Sequence, residues 1–117
     1  MHYLILIHSE ERDPSTVEPE ELRRVMGEYR AYSDALRAEG VARGGNALEP
    51  SSTARTIRVR DGERIVTDGP FAESREQLGG YYLVECASEE QAIDVAARCP
   101  GSRYGTVELR PVWDIPG

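Results

Sequence analysis

Two segments of the chain carry apolar side chains at nearly every position. Residues 2–8 read HYLILIH, and residues 81–86 read YYLVEC after a pair of glycines. Successive side chains of a strand point to opposite faces, so a strand that is apolar at every position is buried on both sides. The pattern predicts two central strands whose sheet needs cover on both of its faces.

Two other segments repeat their apolar residues at helical spacing. The first is predicted to be a helix over 19–39, because a proline opens it, acidic residues follow, and a glycine comes directly after it. The second helix is predicted over 88–99. Ser88 and Gln91 have the spacing of a capping box, and Pro100-Gly101 ends the pattern.

A β-hairpin is indicated between these helices. Segments 56–60 and 64–68 flank Asp61-Gly62, a pair that favours a two-residue type I′ turn. That turn fixes the register, so it pairs Arg60 with Glu63, Ile57 with Val66 and Arg55 with Asp68. Ile57, Val59 and Val66 then share one face, and four arginines make the hairpin the chain's basic cluster, which we interpret as a solvated face.

The order of elements predicts the fold class. A weak strand over 41–49 and a last strand over about 105–113 complete the order strand, helix, strand, hairpin, strand, helix, strand. This order is typical of an α+β fold with a ferredoxin-like antiparallel sheet, here as a single domain over 1–117. Both helices then lie on one face, and a second copy of the chain is the simplest cover for the other. We therefore expect a homodimer.

Charge and cysteine content narrow the classes of partner. The formal net charge of −7 argues against a broad nucleic-acid surface and against an anionic membrane. No segment has the roughly 20 apolar residues of a membrane span, and the N-terminus lacks a signal-peptide pattern. Cys86 and Cys99 lie at opposite ends of the second predicted helix, too far apart for a disulfide. These features predict a cytoplasmic protein with reduced cysteines, no metal and no cofactor.

Asp68 and His8 are the candidates for proton transfer. Asp68 acts as a base or ligand acceptor in one interpretation. In the other it fixes a turn before Gly69-Pro70 and pairs with Arg55. His8 is either an acid or base at the end of a strand face, or a structural histidine bonded to a backbone group.

Six further residues are candidates for contacts with a ligand. Phe71 is expected to fill an apolar gap or line the site, and Glu73 is a loop acid that points into a cleft or into solvent. The neighbouring residues Tyr81 and Tyr82 should face opposite sides of the sheet. Glu108 and Arg110 on the last strand should form an internal salt bridge or bind a small organic acid.

Two sequence blocks carry a family resemblance. Residues 66–73 read VTDGPFAE and residues 76–83 read EQLGGYYL. Together with likenesses along nearly the whole chain, they resemble the DGPF-domain proteins of the YCII-related family. The resemblance implies a dimeric α+β barrel, an association with extracytoplasmic-function sigma factors in many relatives, and a role that is mostly unassigned. Some relatives are thought to be enzymes that use a histidine on the first helix, and this sequence has no histidine there.

Three hypotheses about function follow. In the first, a dimeric DGPF-type protein binds a small molecule in the barrel interior, in a setting linked to sigma-factor regulation. In the second, the protein is a cofactor-free enzyme of the lyase or dehydrochlorinase type that uses Asp68 with His8 or Glu73. In the third, it is an interaction module without a pocket.

Overall fold

The computed structural model describes residues 1–116 and contains six strands and three helices. The helices are α1 (Pro19–Ala38), α2 (Glu89–Ala97) and α3 (Gly101–Tyr104). Short 3-10 turns occur at Pro14–Thr16 and Ser51–Thr53. The strands are β1 (His2–Glu10), β2 (Ala42–Ala47), β3 (Arg55–Arg60), β4 (Glu63–Asp68), β5 (Glu76–Glu85) and β6 (Thr106–Pro111).

The four-stranded sheet has the order β2-β5-β1-β6, and every neighbouring pair is antiparallel. This is the ferredoxin-like α+β arrangement that the element order predicted. β3 and β4 form a separate two-stranded sheet. No helix in the described part of the chain is long and apolar enough to cross a membrane.

The core lies between one face of the sheet and the two longer helices. Tyr3, Ile5 and Ile7 of β1 are buried there, and so are Leu36 of α1 and Val95 of α2. A phenol also links the two helices, because Tyr32 donates a hydrogen bond of 2.8 Å to the backbone carbonyl of Val95. The odd-numbered residues of β1 therefore face the helices, and its even-numbered residues face away.

The end of α1 and the N-terminal cap of α2 agree closely with the sequence prediction. α1 ends one residue before the predicted Glu39. The backbone amide of Gln91 donates to Ser88 Oγ (3.1 Å), which caps α2 as predicted. Cys86 and Cys99 are both free and buried.

Other boundaries differ from the sequence prediction, and β1, for example, ends at Glu10 rather than at residue 8. β5 begins at Glu76 rather than at residue 81, because the segment before the glycines pairs with the end of β1. α2 ends at Ala97, two residues before the predicted end, and Pro100 precedes the short helix α3, which was not predicted. β6 ends at Pro111, two residues before the expected end.

The hairpin of β3 and β4 has the predicted turn and register. Asp61 and Gly62 have φ angles of 52° and 78°, as a type I′ turn requires, and the three predicted cross-strand pairs all form. The hairpin also extends the molecule. The radius of gyration is 16.4 Å, whereas a compact chain of this length has about 13 Å.

Candidate functional site

The sheet face opposite the helices, here called the open face, has an apolar centre. Leu4 and Leu6 of β1 lie beside Leu83 and Tyr81 of β5, in the pairs Leu4–Leu83 and Leu6–Tyr81. All four side chains are partly buried, although no helix of residues 1–116 covers this face. The strands are thus apolar on both sides, as the sequence pattern predicted.

A row of ionisable side chains starts at one end of this apolar centre and continues along its β6 side, where Glu108 lies opposite Leu6 and Arg110 lies opposite Leu4. His8 Nε2 lies 3.2 Å from a carboxylate oxygen of Glu108, and Arg110 Nη1 lies 3.4 Å from the other oxygen. Beside them, Thr106 Oγ1 donates a hydrogen bond of 2.7 Å to Glu76. We call His8, Glu108 and Arg110 the polar end of the open face.

The register of β1 against β6 creates the polar end. His8 lies opposite Thr106 and Leu6 lies opposite Glu108, so three side chains from two strands meet on one face. A bulge between Ile7 and His8 shifts the pairing with β5, where His8 lies opposite Leu78. The bond of His8 goes to a side chain, not to the backbone group that the sequence analysis considered.

The opposite end of the open face carries a second ionic group. His2 Nε2 lies 3.1 Å from Glu85, and Arg43 Nη2 lies 3.7 Å from the same carboxylate. All three side chains are about half exposed, so the contribution of these pairs to stability is small. The open face is therefore an apolar strip with ionisable groups at both ends and along its β6 side.

Tyr81 and Tyr82 face opposite sides of the sheet, as predicted. The Tyr81 hydroxyl accepts a hydrogen bond of 2.8 Å from the Asn46 amide on the open face. On the helix side, the Tyr82 hydroxyl shares a hydrogen bond of 2.8 Å with Ser33, and its ring packs edge-on against Tyr32. Of these two tyrosines, Tyr81 is the one available to a ligand on the open face.

Tyr82 lines a cleft of about 340 Å³ between α1 and the β2–β5 edge of the sheet. Ser33 and Tyr29 also line it, and no charged side chain of the described residues does. Burial raises the pKa of Tyr29, so its phenol is a weaker acid than a free tyrosine. Sequence analysis missed this cleft, although Tyr29 and Ser33 have the i, i+4 spacing of one helix face.

The structure does not bring Asp68 to the open face. Asp68 belongs to the hairpin sheet, its side chain is 88% exposed, and it pairs with Arg55 at 3.2 Å, as one interpretation expected. Glu73 is exposed in the following loop. Within one chain, neither acid joins His8, so the pairing of His8 with Asp68 or Glu73 is not observed.

Phe71 does not have the first of its two predicted roles, which was to fill an apolar gap. Its side chain is 79% exposed, and its ring lies 5.5 Å from the guanidinium carbon of Arg58. It therefore fills no apolar gap in its own chain. Sequence analysis missed Asn46 and Glu76 as well, because their contacts depend on the register of strands that are distant in sequence.

Comparison with known proteins agrees with this architecture. The model of the YCII-related domain matches residues 1–116. An uncharacterised protein of Rhizobium meliloti (strain 1021) is 40% identical over 118 residues, which cover 96% of this chain and 92% of that protein. The sequence blocks around Asp68 and Tyr81, the ferredoxin-like sheet and the domain match all agree, and the chain belongs to the YCII-related family.

Proposed function

We propose that this protein is a homodimer that binds a small organic acid between the open faces of its two copies. The observation that carries the proposal is the apolar strip of Leu4, Leu6 and Leu83, which ends at ionisable groups on the same face. A strip of this kind is costly to leave in water, at about 25 cal/mol per Å² of apolar area. A second copy would cover it and enclose a chamber.

The polar end supplies the chemistry that favours an acid. Arg110 is two-thirds exposed and has only a 3.4 Å contact with Glu108, so its guanidinium has donors to spare. Guanidinium groups bind carboxylates through paired hydrogen bonds. The ligand's apolar body would lie on the leucines, and its carboxylate would reach Arg110.

The dimer is tested with Leu6→Glu, which places a charge at the centre of the open face. Light scattering after gel filtration should give twice the 13.0 kDa chain mass for the natural protein and the chain mass for the variant. Ile93→Glu is the control, because Ile93 is an exposed apolar residue of α2, away from the open face. A natural protein of single-chain mass at all concentrations contradicts the proposal.

The ligand is tested by thermal shift with a panel of mono- and dicarboxylic acids. Acids that stabilise the natural protein should lose that effect with Arg110→Gln. The control Ser33→Leu fills the cleft beside Tyr82 and should leave the shift unchanged. The opposite result, in which only Ser33→Leu abolishes the shift, would place the ligand in the cleft and overturn the chamber as its site.

One observation favours a second candidate function, proton transfer by a cofactor-free enzyme. The pair of His8 and Glu108 at 3.2 Å is a histidine oriented by a carboxylate, an arrangement that general bases use. Such an enzyme should exchange a ligand's acidic C–H proton with D₂O, and NMR would follow that exchange. His8→Gln should abolish the exchange while ligand binding persists, and a natural protein that catalyses no exchange contradicts this function.

A link to sigma-factor regulation and a cytoplasmic location stay predictions of the sequence analysis. The first would be tested by co-purification of a sigma factor with the natural protein.

A further inference from the structure

The hairpin and the loop after it form an exposed apolar surface. We call β3, β4 and the residues up to Phe71 the arm. Five large apolar side chains of the arm are between 44% and 79% exposed, namely Ile57, Val59, Ile65, Val66 and Phe71. Ile57, Val59 and Val66 share one face of the hairpin, as the register requires. Ile65 lies on the other face, opposite Arg58, whose guanidinium contacts Phe71. Exposed apolar residues on both faces of a projecting hairpin are typical of an interaction site.

The arm is held to its own chain at the root. There the Glu11 carboxylate accepts hydrogen bonds from the Ser51 backbone amide (2.7 Å) and from the Ser51 hydroxyl. Thr56 Oγ1 donates to the carbonyl of Gly69 (2.9 Å) and closes the base of the two strands. An isolated two-stranded hairpin is marginally stable in water, so the strands beyond this root need a further layer to pack against.

Charge favours a second copy as that layer. Residues 55–68 contain four arginines and three acids, which gives the arm a net charge of +1 and leaves −8 on the rest of the chain. The arm is thus the part of the chain whose charge is complementary to the acidic body of another copy, and a contact through the arm avoids setting two acidic bodies against each other.

The position of the root brings the arm near the polar end. β4 leads through a short loop to Glu76, the first residue of β5. Glu76 accepts the hydrogen bond of Thr106, which lies opposite His8. The arm therefore leaves the body at the end of the sheet that carries His8, and Glu108 and Arg110 follow from there along β6.

We infer that the arm of each copy packs against the body of a second copy, beside the polar end of its open face. This inference rests on the homodimer proposed above and adds the surface that holds it together. A two-fold axis makes the exchange reciprocal, so both arms are covered at once. Each copy thereby brings Phe71 and Asp68, which lie apart from the site in their own chain, towards the site of the other.

The first test replaces Ile57 and Val66 by serine in one variant. Both side chains are exposed in the single chain, so each copy should keep its circular dichroism spectrum. Analytical ultracentrifugation should show at least a tenfold rise in the Kd of the dimer. Met26→Ser is the matched control, because Met26 is an equally exposed apolar residue on α1. A Kd unchanged from that of the control overturns the inference.

The second test locates the arm directly. Ile57 is replaced by the photo-crosslinker p-benzoylphenylalanine, and copies labelled with ¹⁴N and ¹⁵N are mixed before illumination. Crosslinked peptides of mixed label would show contact between copies, and peptides of one label only would place the arm on its own chain and overturn the inference.

The two proposals fail in different ways. If Leu6→Glu gives single chains while the arm variant keeps the natural Kd, the dimer stands without the arm. If the arm variant dissociates and Leu6→Glu stays dimeric, the arm holds the dimer and the covered open face is wrong.

Discussion

The strand that carries Glu108 and Arg110 begins next to a glycine that has no room for a side chain. A Cβ atom on Gly105 would lie 2.2 Å from the backbone carbonyl oxygen of His8. Backbone cannot rotate away as a side chain can, so β6 or β1 would have to move. Gly27, in the middle of α1, is the opposite case, because a Cβ there meets nothing within 4 Å.

We expect Gly105→Ala to destabilise the fold by about 1–3 kcal/mol, the usual cost of overpacking. Gly27→Ala should stabilise it by about 0.5–1 kcal/mol, because alanine is the better helix former. Urea denaturation followed by circular dichroism measures both free energies of unfolding. A Gly105→Ala protein as stable as the natural one would show that β1 and β6 can separate locally without cost.

At the scale of elements, one ion pair joins the ends of the two longer helices. Arg98, just after α2, donates two hydrogen bonds of 2.9 and 2.8 Å to the two carboxylate oxygens of Glu39, just after α1. These bonds hold the pKa of Glu39 below its ordinary value. Arg98 also lies 3.4 Å from Asp94 of α2.

This pair predicts a pH dependence of stability. A carboxyl with a lowered folded-state pKa stabilises the fold above its ordinary pKa, and the contribution is lost as pH falls through the folded value. The natural protein should therefore lose more Tm between neutral and strongly acidic pH than Glu39→Gln does. Arg98→Gln should behave as Glu39→Gln does, and identical pH profiles for all three proteins would contradict the prediction. Because the pair is partly exposed, added salt should shrink the difference.

How much of the fold the sequence predicts depends on the range of the contacts involved. The Asp61-Gly62 turn and the capping box of Ser88 and Gln91 are local, and both were predicted correctly. The contact of His8 with Glu108 joins residues that are 100 positions apart. It depends on the register of β1 with β6, which no local pattern fixes.

Phe71 shows a second reason why sequence analysis fails. An aromatic residue in a polar loop predicts burial, because its large apolar surface is costly in water. In the single chain that surface stays exposed, so the cover must come from outside the chain or be absent. A sequence pattern shows that a residue needs cover but does not show which chain supplies it.

The whole molecule is thin for its breadth, with extents of 48 × 47 × 18 Å. One layer of helices on one sheet accounts for the short dimension, and the projecting arm contributes to the long ones. A domain normally buries each apolar face between layers. Here the open face and the arm both lack a layer, and one second copy related by a two-fold axis would supply both.

If folding and association are coupled in this way, stability must depend on protein concentration. For a dimer that unfolds to single chains, each tenfold rise in concentration adds about 1.4 kcal/mol, which corresponds to a Tm increase of about 3 °C for two chains of this length. Calorimetry over a hundredfold range of concentration should therefore show a rise of about 6 °C for the natural protein. Leu6→Glu should show none, since its chains are expected to unfold singly. A natural Tm independent of concentration would mean that the single chain tolerates an apolar open face, and the argument for an enclosed chamber would lose its physical basis.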